Sequence, residues 1–160
     1  MLAPWKKIAA SLFAAALLTA GTALAQDHHH SHGHENSAQL TLDDGKKWPT
    51  DNSLRQSMSR IRDALEAELP AIHSGKATAK QYRALAKKMN GQIAFIVKNC
   101  KLEPKVDAML HLVLADIIAG AEAMAQGGSE AHKGAEKIAQ ALGNYGTYFD
   151  HPGWRPLAGM

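Results

Sequence analysis

Four runs of apolar residues recur at helical spacing along the chain, and short segments rich in glycine and proline separate them. This spacing places the apolar side chains of a run on one face of an α-helix. The four runs comprise Leu54, Met58, Ile61, Leu65, Leu69 and Ile72; Tyr82, Leu85, Met89, Ile93, Ile96 and Cys100; Val106, Leu110, Val113, Ile117, Ala121 and Met124; and Ala131, Ala135, Ile138, Leu142, Tyr145 and Phe149. Four helices with short connections predict an all-α, antiparallel up-down-up-down four-helix bundle.

The segments between the runs carry signals for helix starts. We expect the helices to start at Thr50 or Asp51, at Thr78 with Gln81 completing a capping box, at Pro104, and at Ser129. The third run has a wide apolar arc, so its helix should be the most buried. Gly143 and Gly146 lower the helix propensity of the fourth run, and we expect them to permit close approach of another backbone segment.

The first 25 residues have the pattern of a secretory signal peptide. Lys6 and Lys7 precede an apolar stretch over residues 8–20, and Ala23-Leu24-Ala25 has the small residues of a cleavage site. No later apolar run is expected to span a membrane. The predicted organisation is a signal peptide at 1–25, a disordered histidine-rich tail and approach segment at 26–47, the bundle at 48–154 and a C-terminal tail at 155–160. The expected location is a bacterial periplasm.

The net charge, the cysteine content and the motifs of the chain argue against several classes of function. Without residues 1–25 the chain has 16 basic and 15 acidic residues, a formal charge of +1. This near balance argues against nucleic acid as a partner. Cys100 is the only cysteine, so no internal disulfide forms, and the sequence has no CxxCH motif for covalent haem attachment. It also has no nucleophile–base motif, P-loop or zinc-protease motif, so we expect no enzymatic activity.

The strongest functional signal is a histidine cluster directly after the predicted cleavage site. Five histidines fall within seven residues: His28, His29, His30, His32 and His34. Dense histidine tracts bind copper, zinc and nickel through imidazole nitrogen. Cleavage after Ala25 would also create the terminus Gln26-Asp27-His28, whose amine, amides and imidazole can form a square-planar site for copper(II) or nickel(II). Cyclisation of Gln26 would remove that amine.

A second candidate metal site lies at one end of the predicted bundle. The up-down-up-down topology brings Met58, Cys100, Met109 and His111 to that end, where their soft donors suit copper(I). The alternative is structural: methionine and free cysteine commonly fill cores. His111 also follows Asp107 by four residues and can hydrogen-bond to it.

The same end holds a different candidate ligand pair. With Met58 early on the first helix and His151 late in the fourth, the layout resembles the soluble b-type cytochromes, in which haem lies between such ligands. This resemblance implies haem b and electron transfer. His151 departs from it by standing before Pro152, at the end of the helix.

Three segments carry a broader resemblance: GKKWPTDNSLRQSMSRIRDALEA, IVKNCKLEPKVDAMLHLVLADIIAGAEAM and NYGTYFDHPGW. Across about Leu42 to Trp154 the chain resembles small exported proteobacterial proteins described as DnrO-like, a family that implies a helical periplasmic domain and no defined chemistry. The sequence therefore predicts a periplasmic metal-binding protein, copper first with zinc or nickel as alternatives. Its expected role is metal sequestration, delivery or tolerance, with another periplasmic metal-handling protein as a partner. The alternatives are a haem electron carrier and a non-catalytic interaction bundle.

Overall fold

The computed structural model describes residues 39–158 and confirms the four-helix prediction. The helices are α1 (Asn52–His73), α2 (Ala79–Asn99), α3 (Pro104–Gln126) and α4 (Gly128–Tyr148). Each helix packs against its neighbours in the chain, and α1 also packs against α4, so the bundle closes. The predicted signal peptide and the histidine tail lie outside the described residues.

Most of the core consists of the residues that the helical spacing predicted. Every member of the four runs is buried except Cys100, which is half-buried at the end of α2. Burial of apolar surface is the main force that holds such a bundle together, at about 25 cal/mol per Å². The expectation that α3 would be the most buried helix is wrong, because α1, α3 and α4 each bury eight residues. Ile118 on α3 is 38% exposed.

Three of the four predicted helix starts are correct. The Asp51 side chain caps α1 by accepting a hydrogen bond from the Leu54 backbone N–H, and Thr78 forms the predicted capping box. Pro104 is the first residue of α3. The Ser129 prediction is wrong, because α4 starts at Gly128 after a single linking residue, Gly127. Gly127 has φ of 83° and Gly128 has φ of 63°, conformations that glycine adopts without a steric penalty.

The α3–α4 pair is the tightest packing in the bundle, and two glycines permit it. A Cβ atom on Gly120 would lie 2.5 Å from the Gly134 carbonyl oxygen, and a Cβ on Gly134 would clash with the Gly120 carbonyl oxygen. The two backbones therefore touch at this crossing. Gly143 has open space around it, so the predicted close approach at that position is wrong.

The α3 helix has the length and apolar composition of a membrane span, contrary to the expectation that no later run would. Its mean hydropathy is 1.6 over the most apolar stretch. Eight of its residues are buried in the bundle, where α3 packs between α2 and α4. Part of its apolar surface is therefore used in the core.

Candidate functional site

Cys100 lies at the α2–α3 corner. The carboxylate of Asp51, the N-cap residue of α1, accepts a hydrogen bond from this corner. One oxygen of Asp51 accepts from the Leu54 backbone N–H and the other from the Lys101 backbone N–H, both at 2.7 Å. The Cys100 thiol lies near the same carboxylate, whose negative charge acts on it. Burial, together with the negative charges of Asp51 and Asp107, raises the pKa of Cys100 to about 12. The thiol therefore keeps its proton at neutral pH, whereas metal binding requires the thiolate.

The two other predicted ligands on α3 have separate neighbours. Met109 is partly buried, and its sulfur lies 4.0 Å from the Thr41 hydroxyl. His111 is exposed, and its Nδ1 lies 2.8 Å from the Asp107 carbonyl oxygen and 3.4 Å from the Asp107 carboxylate. The hydrogen bond predicted from the four-residue spacing is confirmed.

Asp107 connects two of the predicted residues. Its charge acts on Cys100 and its carboxylate pairs with His111, so both residues lie at the same end of the bundle as predicted. Met58 is fully buried in the core of α1. Within residues 39–158, however, no three histidine, cysteine, aspartate or glutamate side chains converge as a metal-binding group.

His151 is bound by two hydroxyl groups. Its Nδ1 lies 3.0 Å from the Tyr145 hydroxyl and its Nε2 lies 3.4 Å from the Ser59 hydroxyl. Burial, and then the positive charges of Arg55 and Arg62, lower the pKa of His151, so the neutral ring is favoured. A neutral ring can accept from Tyr145 while it donates to Ser59. Coordination of a haem iron by His151 would require breaking one of these contacts.

An aromatic cluster that the sequence did not predict surrounds this histidine. The Trp154 ring packs edge-on against Tyr145 at 4.8 Å between centroids and lies 5.1 Å from the His151 ring. Such edge-on pairs contribute about 0.5–1.5 kcal/mol beyond the burial of their area. Arg62 lies 6.0 Å from the Trp154 ring centre. Gly146 permits this packing, because a Cβ there would lie 2.5 Å from the Trp154 indole nitrogen.

The approach segment is fixed to the same end by Trp48. The Trp48 N–H donates to the Tyr148 carbonyl, and the Asp150 N–H donates to the Trp48 carbonyl, both at 2.8 Å. The indole N–H of Trp48 donates to the Thr41 carbonyl at 2.6 Å. Trp48 is therefore a buried part of the domain, as predicted.

An open cleft of about 540 Å³ lies beside this corner. Its lining residues are Asp43, Trp48, Pro49, Glu103, Pro104, Lys105 and Val106. None of the predicted metal or haem ligands is among them. The cleft therefore offers no support for a soft-metal site.

Comparison with family models, with curated proteins and with solved structures finds no match for this chain. The resemblances to DnrO-like proteins and to b-type cytochromes stay predictions. The five histidines of the tail, like the predicted Gln26-Asp27-His28 terminus, lie outside the described residues.

Proposed function

We propose that this protein is an exported, periplasmic metal-binding protein without enzymatic activity, and that its histidine tail supplies the principal metal ligands. The observation that carries the proposal is the sequence of residues 28–34, with five imidazoles in seven positions. Copper is the first candidate metal, and zinc and nickel are the alternatives. The role would be sequestration or delivery, with exchange to another periplasmic metal-handling protein.

The environment of the bundle residues supports giving the tail this role. The pKa of the Cys100 thiol is raised to about 12, so the thiol keeps its proton, and His111 is bonded to Asp107. Binding a metal would require Cys100 to lose that proton or His111 to break its contact with Asp107. The four helices would then serve as the folded body that carries the tail.

Calorimetry with copper(II) and zinc(II) tests the proposal. One variant replaces all five tail histidines with asparagine in the exported chain. The matched control makes the same replacement at three solvent-accessible histidines of the bundle, His73, His111 and His132. We expect the tail variant to lose most of its bound metal and the control to keep the wild-type stoichiometry. Unchanged stoichiometry in the tail variant would contradict the proposal.

A further inference from the structure

The charges of the bundle are unevenly distributed. From Leu69 to Leu102 the chain has no acidic residue, and it has seven basic ones: Lys76, Lys80, Arg83, Lys87, Lys88, Lys98 and Lys101. The other described residues have nine basic and thirteen acidic side chains, a net charge of −4. The segment that contains α2 is therefore strongly positive, and the rest of the domain is negative.

The helical period places the cations of α2 on its outward side. Lys80, Lys87 and Lys98 are separated by seven and eleven residues, so they fall within about 20° of one another around the helix axis. The buried residues Leu85 and Met89 lie on the opposite side. All seven basic side chains are exposed. At 21 residues, α2 presents a cationic face about 30 Å long.

Two exposed apolar side chains flank the lysines. Phe95 is 36% exposed and lies about 60° from Lys98 around the helix axis, and Val97 is 72% exposed and lies about 100° from Lys98 on the other side. The small residues Ala84, Gly91 and Ala94 are exposed between the cations. The face thus combines lysines with apolar groups that water solvates poorly.

Nothing in the described part of the domain neutralises or covers this face. Within residues 39–158, none of the seven cations forms an ion pair with a carboxylate. By contrast, Lys133 and Lys137 on α4 pair with Glu130 and Asp116. Because α2 packs mainly against α1 and α3, its outward side remains open.

We propose that the outward face of α2 is a docking surface for a membrane that contains anionic phospholipid. Charge complementarity supports this partner, because lysines near an anionic bilayer each add to the attraction. Six of the seven cations are lysine, a flexible and strongly hydrated point charge, whereas bidentate phosphate recognition uses arginine. A straight helical face of lysines, with exposed Phe95 at its edge near one end, suits the plane of a bilayer interface. The negative remainder of the domain would then face away from the lipid.

Vesicle sedimentation tests the docking surface. The exported chain is mixed at pH 8 with vesicles of phosphatidylcholine alone or with phosphatidylglycerol added. We expect binding only to the anionic vesicles, with release at about 0.5 M salt, because screening shortens the range of the attraction. The test variant replaces Lys80, Lys87 and Lys98 with glutamine. It should lower the partition constant between about tenfold and a hundredfold.

The matched control removes the same charge from elsewhere on the surface. It replaces Lys46, Lys133 and Lys137 with glutamine and should change the partition constant less than threefold, and circular dichroism confirms that both variants are helical. Equal losses in the two variants would overturn the proposal, because they would show an effect of net charge alone. If the face serves an acidic protein instead, the wild-type chain stays in the supernatant with vesicles of either composition, and the proposal fails.

Discussion

Asp51 should be among the most important polar residues for the stability of this bundle. Its carboxylate joins the start of α1 to the α2–α3 corner, since it accepts from the backbone N–H groups of Leu54 and Lys101. One of these bonds caps α1, and the other holds the α2–α3 corner against it. Each of its two carboxylate oxygens accepts one backbone hydrogen bond at 2.7 Å. A side chain with a single acceptor oxygen could therefore not make both bonds.

The Asp51→Ala substitution should therefore cost more than the loss of an ordinary surface carboxylate. Loss of an N-cap costs about 1 kcal/mol. Loss of a hydrogen bond to a charged acceptor costs about 1.5 kcal/mol, the lower end of the range, because Lys101 is exposed. The expected loss is about 2–3 kcal/mol in the free energy of unfolding, which lowers the melting temperature by about 6–15 °C in a domain of this size. Urea denaturation followed by circular dichroism at 222 nm measures it.

Two further variants separate the contributions at this position. Asp51→Asn keeps an oxygen for the cap but presents an amide to the second site, so it should lose about 1–2 kcal/mol. Asp116→Ala, which removes an exposed partner of Lys137, should lose less than about 1 kcal/mol. A loss below about 0.5 kcal/mol for Asp51→Ala, or equal losses for the alanine and asparagine variants, would refute the role assigned to the two oxygens.

Four other predictions concern packing, the thiol, the histidine and haem. Gly134→Ala should destabilise the bundle by about 2–4 kcal/mol through the clash with α3, whereas Gly143→Ala, in open space, should stabilise it by up to about 1 kcal/mol. Iodoacetamide at pH 8 should modify Cys100 at least about a hundredfold more slowly in the folded protein than in urea, because the folded pKa of about 12 suppresses the thiolate, and no intermolecular disulfide should form. The pKa of His151 is lower in the folded protein than its ordinary value of 6.5, so its contribution to stability should be complete above about pH 6.5 and decline as pH falls below that value. Urea denaturation as a function of pH measures this decline, and His151→Asn should reduce it. Expression with added haem should give no Soret band.

Each of these predictions has a clear contrary result. Equal stability of the two glycine variants would show that the α3–α4 contact is not tight. Rapid alkylation of the folded protein, or a copper(I)-dependent slowing of it, would restore Cys100 as a candidate ligand. A pH dependence that survives His151→Asn would show that His151 does not cause it. A Soret band that disappears in Met58→Ala or His151→Ala would establish the cytochrome alternative.

The core could be predicted because one periodicity determines it. Leu65 and Ile93 are buried for the same reason as their neighbours at three- and four-residue spacing, namely that they share one face of a helix. The cationic face of α2 follows from the same rule on the opposite side. The corner could not be predicted, because the bond from Lys101 to Asp51 joins residues fifty positions apart. No local pattern indicates which carboxylate accepts from a distant backbone N–H.

The glycine contact between α3 and α4 had a signal that the periodicity argument did not use. Gly120 and Gly134 each stand seven residues from Gly127, the single residue that links the two helices. In an antiparallel hairpin, positions equally distant from the turn lie opposite each other. Two glycines placed in this way predict a close crossing, and both glycines remove a side chain where the backbones touch.

The position of each soft donor explains why the metal proposal depends on the tail. Topology correctly places Cys100 and His111 at one end of the bundle, but shared location does not make a metal site, because each donor must also be free to coordinate. Burial, and then the charge of Asp51, raise the pKa of Cys100 and keep its thiol protonated, and the Asp107 carbonyl oxygen lies 2.8 Å from the imidazole of His111. The hydroxyl groups of Tyr145 and Ser59 contact the two ring nitrogens of His151. The polar groups at this end of the bundle therefore form contacts that hold the fold together. Residues 28–34 are the part of the sequence with the strongest metal-binding pattern.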